Sequence, residues 1–185
     1  MNSNYYMKIE YTLQENDFLE YQLYTTSKSE AIRKKRLISK FAVPMLYVLL
    51  GVFFYFYDNN KNAILICLFL GALWLFIYPF YSKYRYKRFY LNHIKKKYTD
   101  RLDHVDALKL GNNNYFYIKE QGKEGKVKTS DVANLIELKE HFFLKTKKGG
   151  AIILPKNYIL NTDEFKQIIA DLGINYVDDT AWKWS

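Results

Sequence analysis

The sequence predicts an α+β membrane protein in which a two-helix transmembrane hairpin is followed by a cytoplasmic antiparallel β-meander, capped by a C-terminal helix. Three features support this fold class. Two long apolar runs carry no charged residue, clusters of Lys and Arg flank the pair on its outer sides, and the C-terminal part consists of short segments of alternating polarity.

The two apolar runs cover residues 41–57 and 63–81, and the loop at residues 58–62 separates them. Nineteen helical residues, the length of the second run, cover about 28 Å, close to the ~30 Å hydrocarbon core of a bilayer. A soluble core is the competing interpretation. It is disfavoured because a chain of 185 residues would have nothing left to cover two helices that are apolar on every face. Gly51 and Gly71 are expected to let the two helices approach closely.

The orientation follows from the flanks of the hairpin. Residues 28–40 contain six Lys or Arg and one acid, and residues 83–97 contain seven and no acid. The positive-inside rule therefore predicts that both termini are cytoplasmic and that the short loop is outside. The flanks sum to +12 in a chain of net charge +9, which leaves about −3 for the remainder. Positive charge placed beside anionic headgroups argues against nucleic acid as a partner.

Four parts are expected along the chain. Residues 1–40 form a cytoplasmic strand followed by an amphipathic and then a basic helix, and residues 41–81 form the hairpin. Residues 82–105 continue as a basic juxtamembrane helix. Residues 106–185 form the cytoplasmic domain with its terminal helix and tail. The helix at 82–105 carries an aromatic stripe that either lies on lipid or packs against the basic helix before the first span, and we favour packing.

The elements of the cytoplasmic domain are predicted from alternation and turn residues. We expect a short amphipathic helix at residues 15–24, and a strand at residues 7–13 that completes the sheet. A terminal helix begins at Asn161, which forms a capping box with Glu164, and ends at Gly173. The strands of the meander are expected at residues 107–110, 115–121, 126–129, 132–138, 141–147 and 151–154, with turns at 112–114, 121–125 and 147–150. Residues 126–129 and 132–138 are expected to form either two short strands or one bent strand.

Few residues suggest chemistry. His93, His104 and His141 have no metal-site spacing, so we interpret them as surface or interface histidines. Cys67, the only cysteine, lies within a span and is expected to be a packing residue. No acid, base or histidine lies within either run, which disfavours a channel or transporter. We therefore expect no enzyme activity, no catalytic residue, no metal and no cofactor.

Several short segments resemble one known family. They are Tyr11-Thr12-Leu13 followed by Asp17-Phe18, the apolar hairpin, and a meander that ends in Ile153-Leu154-Pro155-Lys156 before an acidic helix start. This layout resembles the YcxB-like proteins of bacteria over nearly the whole chain. The resemblance implies a multi-pass protein of the bacterial cytoplasmic (inner) membrane, whose soluble part is similar to pleckstrin-homology-like domains. It supplies no functional residues that could be carried over.

Two functional hypotheses follow. The first is a membrane-anchored interaction module that binds a protein partner or a second copy of itself. Its contact candidates are a Lys-rich turn and two tryptophans: Lys145, Lys147, Lys148, Trp182 and Trp184. The competing interpretations are a solvated turn and a tail packed on its own domain. The second hypothesis is a sensor or binder of anionic lipid headgroups. Its contact candidates are the cations of the flanks: Arg33, Lys34, Lys35, Arg36, Lys83, Arg85, Lys87, Arg88, Lys95, Lys96 and Lys97.

Overall fold

The computed structural model describes residues 5–58, 61–99, 102, 104–111, 114–120 and 122–184. The predicted loop at 58–62 and the turns at 112–114 and 121–125 lie partly outside the described residues. Two compact units are present. We call Gln22–Tyr90 with Trp184–Ser185 the hairpin unit, and Met1–Tyr21 with Leu91–Lys183 the α/β unit.

Two long apolar helices dominate the hairpin unit. Helix α1 (Glu15–Lys28) enters it, helix α2 (Glu30–Asp58) combines the predicted basic helix with the first run, and helix α3 (Lys61–Lys97) combines the second run with the juxtamembrane segment. Only 6% and 11% of the most apolar windows of α2 and α3 are buried. Both helices are long and apolar enough to cross a membrane.

Two glycines permit close packing of α2 against α3. A Cβ atom on Gly51 would lie 3.1 Å from Cβ of Cys67 and 3.3 Å from Cα of Ile64. A Cβ atom on Gly71 would lie 3.5 Å from Cα of Pro44, which is ordinary contact. The prediction of close approach at both glycines is confirmed, and the contact is tighter at Gly51.

The α/β unit contains two four-stranded sheets with strand orders β1-β2-β3-β4 and β7-β6-β5-β8. All neighbouring strands are antiparallel except β5 and β8, which are parallel. Helix α4 (Thr162–Asp171) contributes Phe165 to both sheets: its ring lies 5.3 Å from that of Phe142, and it lines a small apolar cavity over the first sheet. The strands are β1 (Tyr5–Thr12), β2 (Val105–Gly111), β3 (Tyr115–Glu120), β4 (Lys123–Lys128), β5 (Val132–Glu137), β6 (His141–Thr146), β7 (Ala151–Pro155) and β8 (Asn175–Asp178).

The prediction of a single antiparallel meander is wrong. A 3₁₀ turn at Thr129–Asp131 divides the strands into two sheets, and the second sheet is mixed because β8 joins β5 in parallel. The sequence does not indicate strand β8, because it has only four residues and three of them are exposed, so it lacks an alternating pattern. The turn expected at 121–125 is also too long, since β4 begins at Lys123 and pairs with β3.

Other elements agree with the sequence. Strand β1 completes the first sheet by pairing with β2, as expected. The side chain of Asn161 caps α4, where its Oδ1 accepts the backbone N–H groups of Asp163 at 3.2 Å and Glu164 at 3.1 Å. Helix α1 is longer than predicted and reaches Lys28.

The aromatic stripe of α3, which comprises Tyr86, Tyr90, Ile94 and Tyr98, packs as favoured. Tyr86 lines a groove together with Lys35 and Arg36 of α2, and the next residues of the stripe contact α1. The hydroxyl of Tyr90 lies 2.6 Å from Thr26 Oγ1, and the ring of Tyr98 stacks on Phe18 with centroids 5.0 Å apart. Ile94, between them on the stripe, is fully buried.

Candidate functional site

The end of the hairpin that carries the basic flanks of α2 and α3, which we call the hairpin base, is built around Arg36. Its backbone oxygen accepts a hydrogen bond of 2.8 Å from the hydroxyl of Tyr78, and its Nε donates to Ser82 Oγ at 3.1 Å. Tyr78 and Ser82 are both buried. These contacts fix α2 against α3 and hold a guanidinium group at the level where the apolar surface ends.

A groove of about 560 Å³ runs along α2 and α3 at the hairpin base. Cations line one end, where Lys35, Arg36 and Arg85 lie beside the hydroxyl of Ser82. Ala42 and Trp74 lie nearer the middle of the hairpin. No acid is among its lining residues within the described part of the hairpin unit. The groove is therefore positive at one end and apolar at the other.

A second, smaller groove of about 250 Å³ lies beside the first. Arg36 and Tyr78 line both grooves, and Arg33 and Lys40 add two further cations to the smaller one. The hairpin base thus presents five cations to its two grooves. Among the predicted lipid-contact residues, Arg33, Lys35, Arg36 and Arg85 line a groove.

The other predicted lipid-contact residues lie apart from these grooves. Lys95 approaches Glu15 at 4.0 Å within the α/β unit. The remaining side chains are exposed to solvent, and they are Lys34, Lys83, Lys87, Arg88, Lys96 and Lys97.

The predicted partner-contact residues have different settings. Lys145, Lys147 and Lys148 are exposed on and beside the turn between β6 and β7. Trp184 packs within the hairpin unit, where its ring lies 5.2 Å from that of Tyr86 and 4.5 Å from the guanidinium carbon of Arg36. Trp184 therefore contacts residues of α2 and α3 in the hairpin unit, whereas the alternative interpretation placed the tail on its own domain, residues 106–185.

A basic sheet surface appears in the α/β unit that sequence reasoning missed. Cross-strand pairing sets Lys8 opposite Lys109, Lys109 opposite Tyr117, and Tyr117 opposite Lys126. Residues directly opposite one another project from the same face of a sheet. We call this surface the lysine face, and its lysines are Lys8, Lys109, Lys119, Lys126 and Lys128. The alternating polarity of each strand could be seen in the sequence. The strand register that aligns the lysines across the sheet could not.

Acids only partly neutralise the lysine face. Glu10 forms an ion pair with Lys8, and the hydrogen bond from Lys8 is the main cause that lowers the pKa of Glu10, with Lys109 and Lys119 adding to it. Glu124 lies opposite Lys119 in the pairing of β3 with β4, so it projects from the same face. The five lysines of this face outnumber Glu10 and Glu124, so among the described residues the surface stays positive.

The structure buries His141, so its interpretation as a surface or interface residue is wrong. Its Nε2 lies 2.7 Å from Asp17 Oδ1 and its Nδ1 lies 3.3 Å from Glu20 Oε2, both carboxylates being on α1. Burial lowers the pKa of His141, but the two carboxylates outweigh burial and raise this pKa to about 9. The protonated side chain of His141 therefore forms an ionic contact between β6 and the start of α1.

A second buried ionic cluster surrounds Glu137 at the end of β5. Lys156 Nζ lies 2.5 Å from its carboxylate, Lys166 lies at 3.7 Å, and the hydroxyl of Tyr176 donates a hydrogen bond. Burial acts to raise the pKa of Glu137, but the hydrogen bonds from Lys156 and Tyr176 lower it overall. The cluster links β5 to α4 and β8, which identifies it as a structural element of the second sheet. Within the described residues, no group of three or more His, Cys, Asp or Glu is arranged to hold a metal ion.

Comparison with protein families gives one match. Residues 111–170 match the family model described as YcxB-like protein. The predicted resemblance to this family is confirmed over that segment. The match extends from the end of β2 to the last turn of α4, about a third of the chain, and includes neither apolar helix. No curated protein and no solved structure matches the chain significantly.

Proposed function

We propose that this chain is a membrane-anchored, non-catalytic interaction module at the inner face of the bacterial cytoplasmic membrane. The observation that carries the proposal is the exposure of large apolar side chains along both long helices. Leu46, Phe53 and Phe56 are 57%, 57% and 80% exposed, whereas the α/β unit buries its own core of large apolar residues. Surface of this kind is stable among lipid tails and unfavourable in water.

The basic flanks support an orientation with both termini in the cytoplasm, because positive residues are retained on that side. In this orientation the α/β unit lies in the cytoplasm. Its sheets and the helix α4, together with the YcxB-like match, support a pleckstrin-homology-like interaction domain.

The lysine face is the proposed contact surface of this module. Lysines in adjacent strands create a local positive potential, and an acidic surface on a protein partner would complement that potential. Tyr117 lies between Lys109 and Lys126 across the sheet and offers an aromatic contact of the type enriched at interfaces.

Membrane placement is tested first. The full-length chain should sediment with membranes, resist extraction by alkaline carbonate, and require detergent for purification. In a Cys67→Ala background, cysteine labelling of intact cells should modify a single cysteine introduced near Lys61 and spare one introduced at Lys147. A compact chain that remains in solution without detergent would contradict the proposal.

The contact surface is tested by cross-linking in membranes. A photo-reactive amino acid replaces Tyr117 in the full-length chain, and the adduct is quantified in two matched backgrounds. Lys109→Glu with Lys126→Glu should reduce the adduct at least tenfold. Lys147→Glu with Lys148→Glu, which makes the same charge change on the exposed turn, should leave it within twofold. Equal losses would contradict the assignment, and an adduct of twice the chain's own mass would identify a second copy as the partner.

A further inference from the structure

We propose that the larger groove at the hairpin base is a binding site for one anionic phospholipid. The inference goes beyond the proposed interaction function and needs only that the hairpin lies in a membrane. General attraction of the basic flanks to an anionic surface requires no particular residue. A groove that combines cations and apolar side chains in a fixed order assigns the binding to specific positions.

The order of the lining residues fits a phospholipid. Along α2 the groove runs from Lys35 to Val43, and along α3 it runs from Tyr86 back to Trp74. At about 1.5 Å per residue these stretches cover about 12 Å and 18 Å, enough for a headgroup, the glycerol and the first part of an acyl chain. Lys35 and Arg85 lie at the headgroup end, and Ala42 and Trp74 lie at the chain end.

The chemistry of the headgroup end selects a phosphate with net negative charge. Lysine and arginine donate charge-assisted hydrogen bonds to phosphate oxygens, and basic pockets between membrane helices bind anionic headgroups. Arg36 is held in place by Ser82 and lies under the ring of Trp184, so one cation of the site is oriented before a ligand binds. A zwitterionic lipid carries its own cation, which the lysine and arginines of the groove would repel.

The apolar end distinguishes a lipid from free phosphate. Free phosphate would use only the cations, whereas a phospholipid would also place its acyl chain beside Ala42 and Trp74. Filling this end should weaken lipid binding without changing any charge.

The test uses the full-length chain, delipidated in a nonionic detergent. Native mass spectrometry measures binding of phosphatidylglycerol and of phosphatidylcholine with the same acyl chains. Wild type should bind one phosphatidylglycerol at least tenfold more tightly than phosphatidylcholine. Lys35→Gln with Arg85→Gln should weaken phosphatidylglycerol binding at least tenfold, and the matched pair Lys83→Gln with Arg88→Gln, outside the groove, should change it less than twofold.

Ala42→Phe supplies the test that is independent of charge, and it should weaken binding at least fivefold. Equal effects of the two charge pairs would overturn the site in favour of diffuse attraction. Full competition by millimolar inorganic phosphate, or no effect of Ala42→Phe, would overturn the assignment to a lipid. These failures differ from failure of membrane insertion, which would appear as a chain soluble without detergent.

Discussion

Replacement of His141 by Gln tests whether an ionic contact fastens α1 to the second sheet. The side chain of His141 is 4% exposed, and those of Asp17 and Glu20 are 14% and 22% exposed. His141→Gln removes the cation and leaves the two carboxylates without their partner. Loss of a charge-assisted hydrogen bond costs roughly 1.5–3 kcal/mol, and an uncompensated buried charge adds to that loss.

The pH dependence gives the sign of the effect. The pKa of His141 is about 9 in the folded chain, against 6.5 for an ordinary histidine side chain in water. Because the folded value is higher, the contribution to stability is complete below about pH 6.5 and is lost as the pH rises through 9. The difference corresponds to at most about 3 kcal/mol. His141→Gln should therefore be less stable than wild type by about 2–3 kcal/mol at pH 6, and by less than about 1 kcal/mol at pH 9.5.

The assay is urea unfolding of the full-length chain in detergent, followed by the fluorescence of Trp182 in a Trp74→Phe, Trp184→Phe background. Glu140→Gln is the control, because the neighbouring Lys139–Glu140 pair is 83% and 67% exposed and should contribute little. A stability difference between wild type and His141→Gln that does not shrink from pH 6 to pH 9.5 would refute the reasoning. A large effect of Glu140→Gln would refute it as well.

Two further predictions concern packing and capping. Gly51→Leu should separate α2 from α3 and lower the thermal stability of the chain in detergent. Gly71→Ala should be tolerated, because its Cβ would meet Pro44 at an ordinary contact distance of 3.5 Å. Equal thermal stability of the two variants would contradict the contact geometry. Asn161→Ala should destabilise the α/β unit by about 1 kcal/mol in urea unfolding, since two backbone N–H groups of α4 lose their acceptor, and Asn161→Asp should restore the stability.

Local sequence patterns were sufficient to predict the helices, the cap and most of the strands. The two apolar helices, the cap at Asn161 and most strands follow from patterns within ten to twenty residues. The division of the strands into two sheets could not be predicted from such local patterns. It depends on the short turn at Thr129–Asp131 and on β8, whose four mostly exposed residues carry no periodic signal.

The candidate sites depend even more on contacts between residues that are distant in sequence. His141 lies 124 residues from Asp17 in sequence, so nothing local indicates that a buried carboxylate will pair with it. The lysine face requires the register between β1 and β2, which are separated by about half of the chain. The cations of the flanks were predicted as a group, and only helix packing at the hairpin base distinguishes Lys35 and Arg85 from their neighbours.

Added salt should weaken binding at the lysine face more than binding in the groove. The two cationic surfaces differ in their exposure to solvent and in the residues that surround them. Lysines 8 and 126 are exposed on a sheet in water, where charges separated by more than about 8 Å are screened at physiological ionic strength. Recognition of an acidic partner there should weaken steeply as salt is added. In the groove the ligand is also held by apolar contact with residues such as Trp74, and Arg36 is partly buried. Binding in the groove should therefore retain most of its strength in salt that abolishes binding at the lysine face.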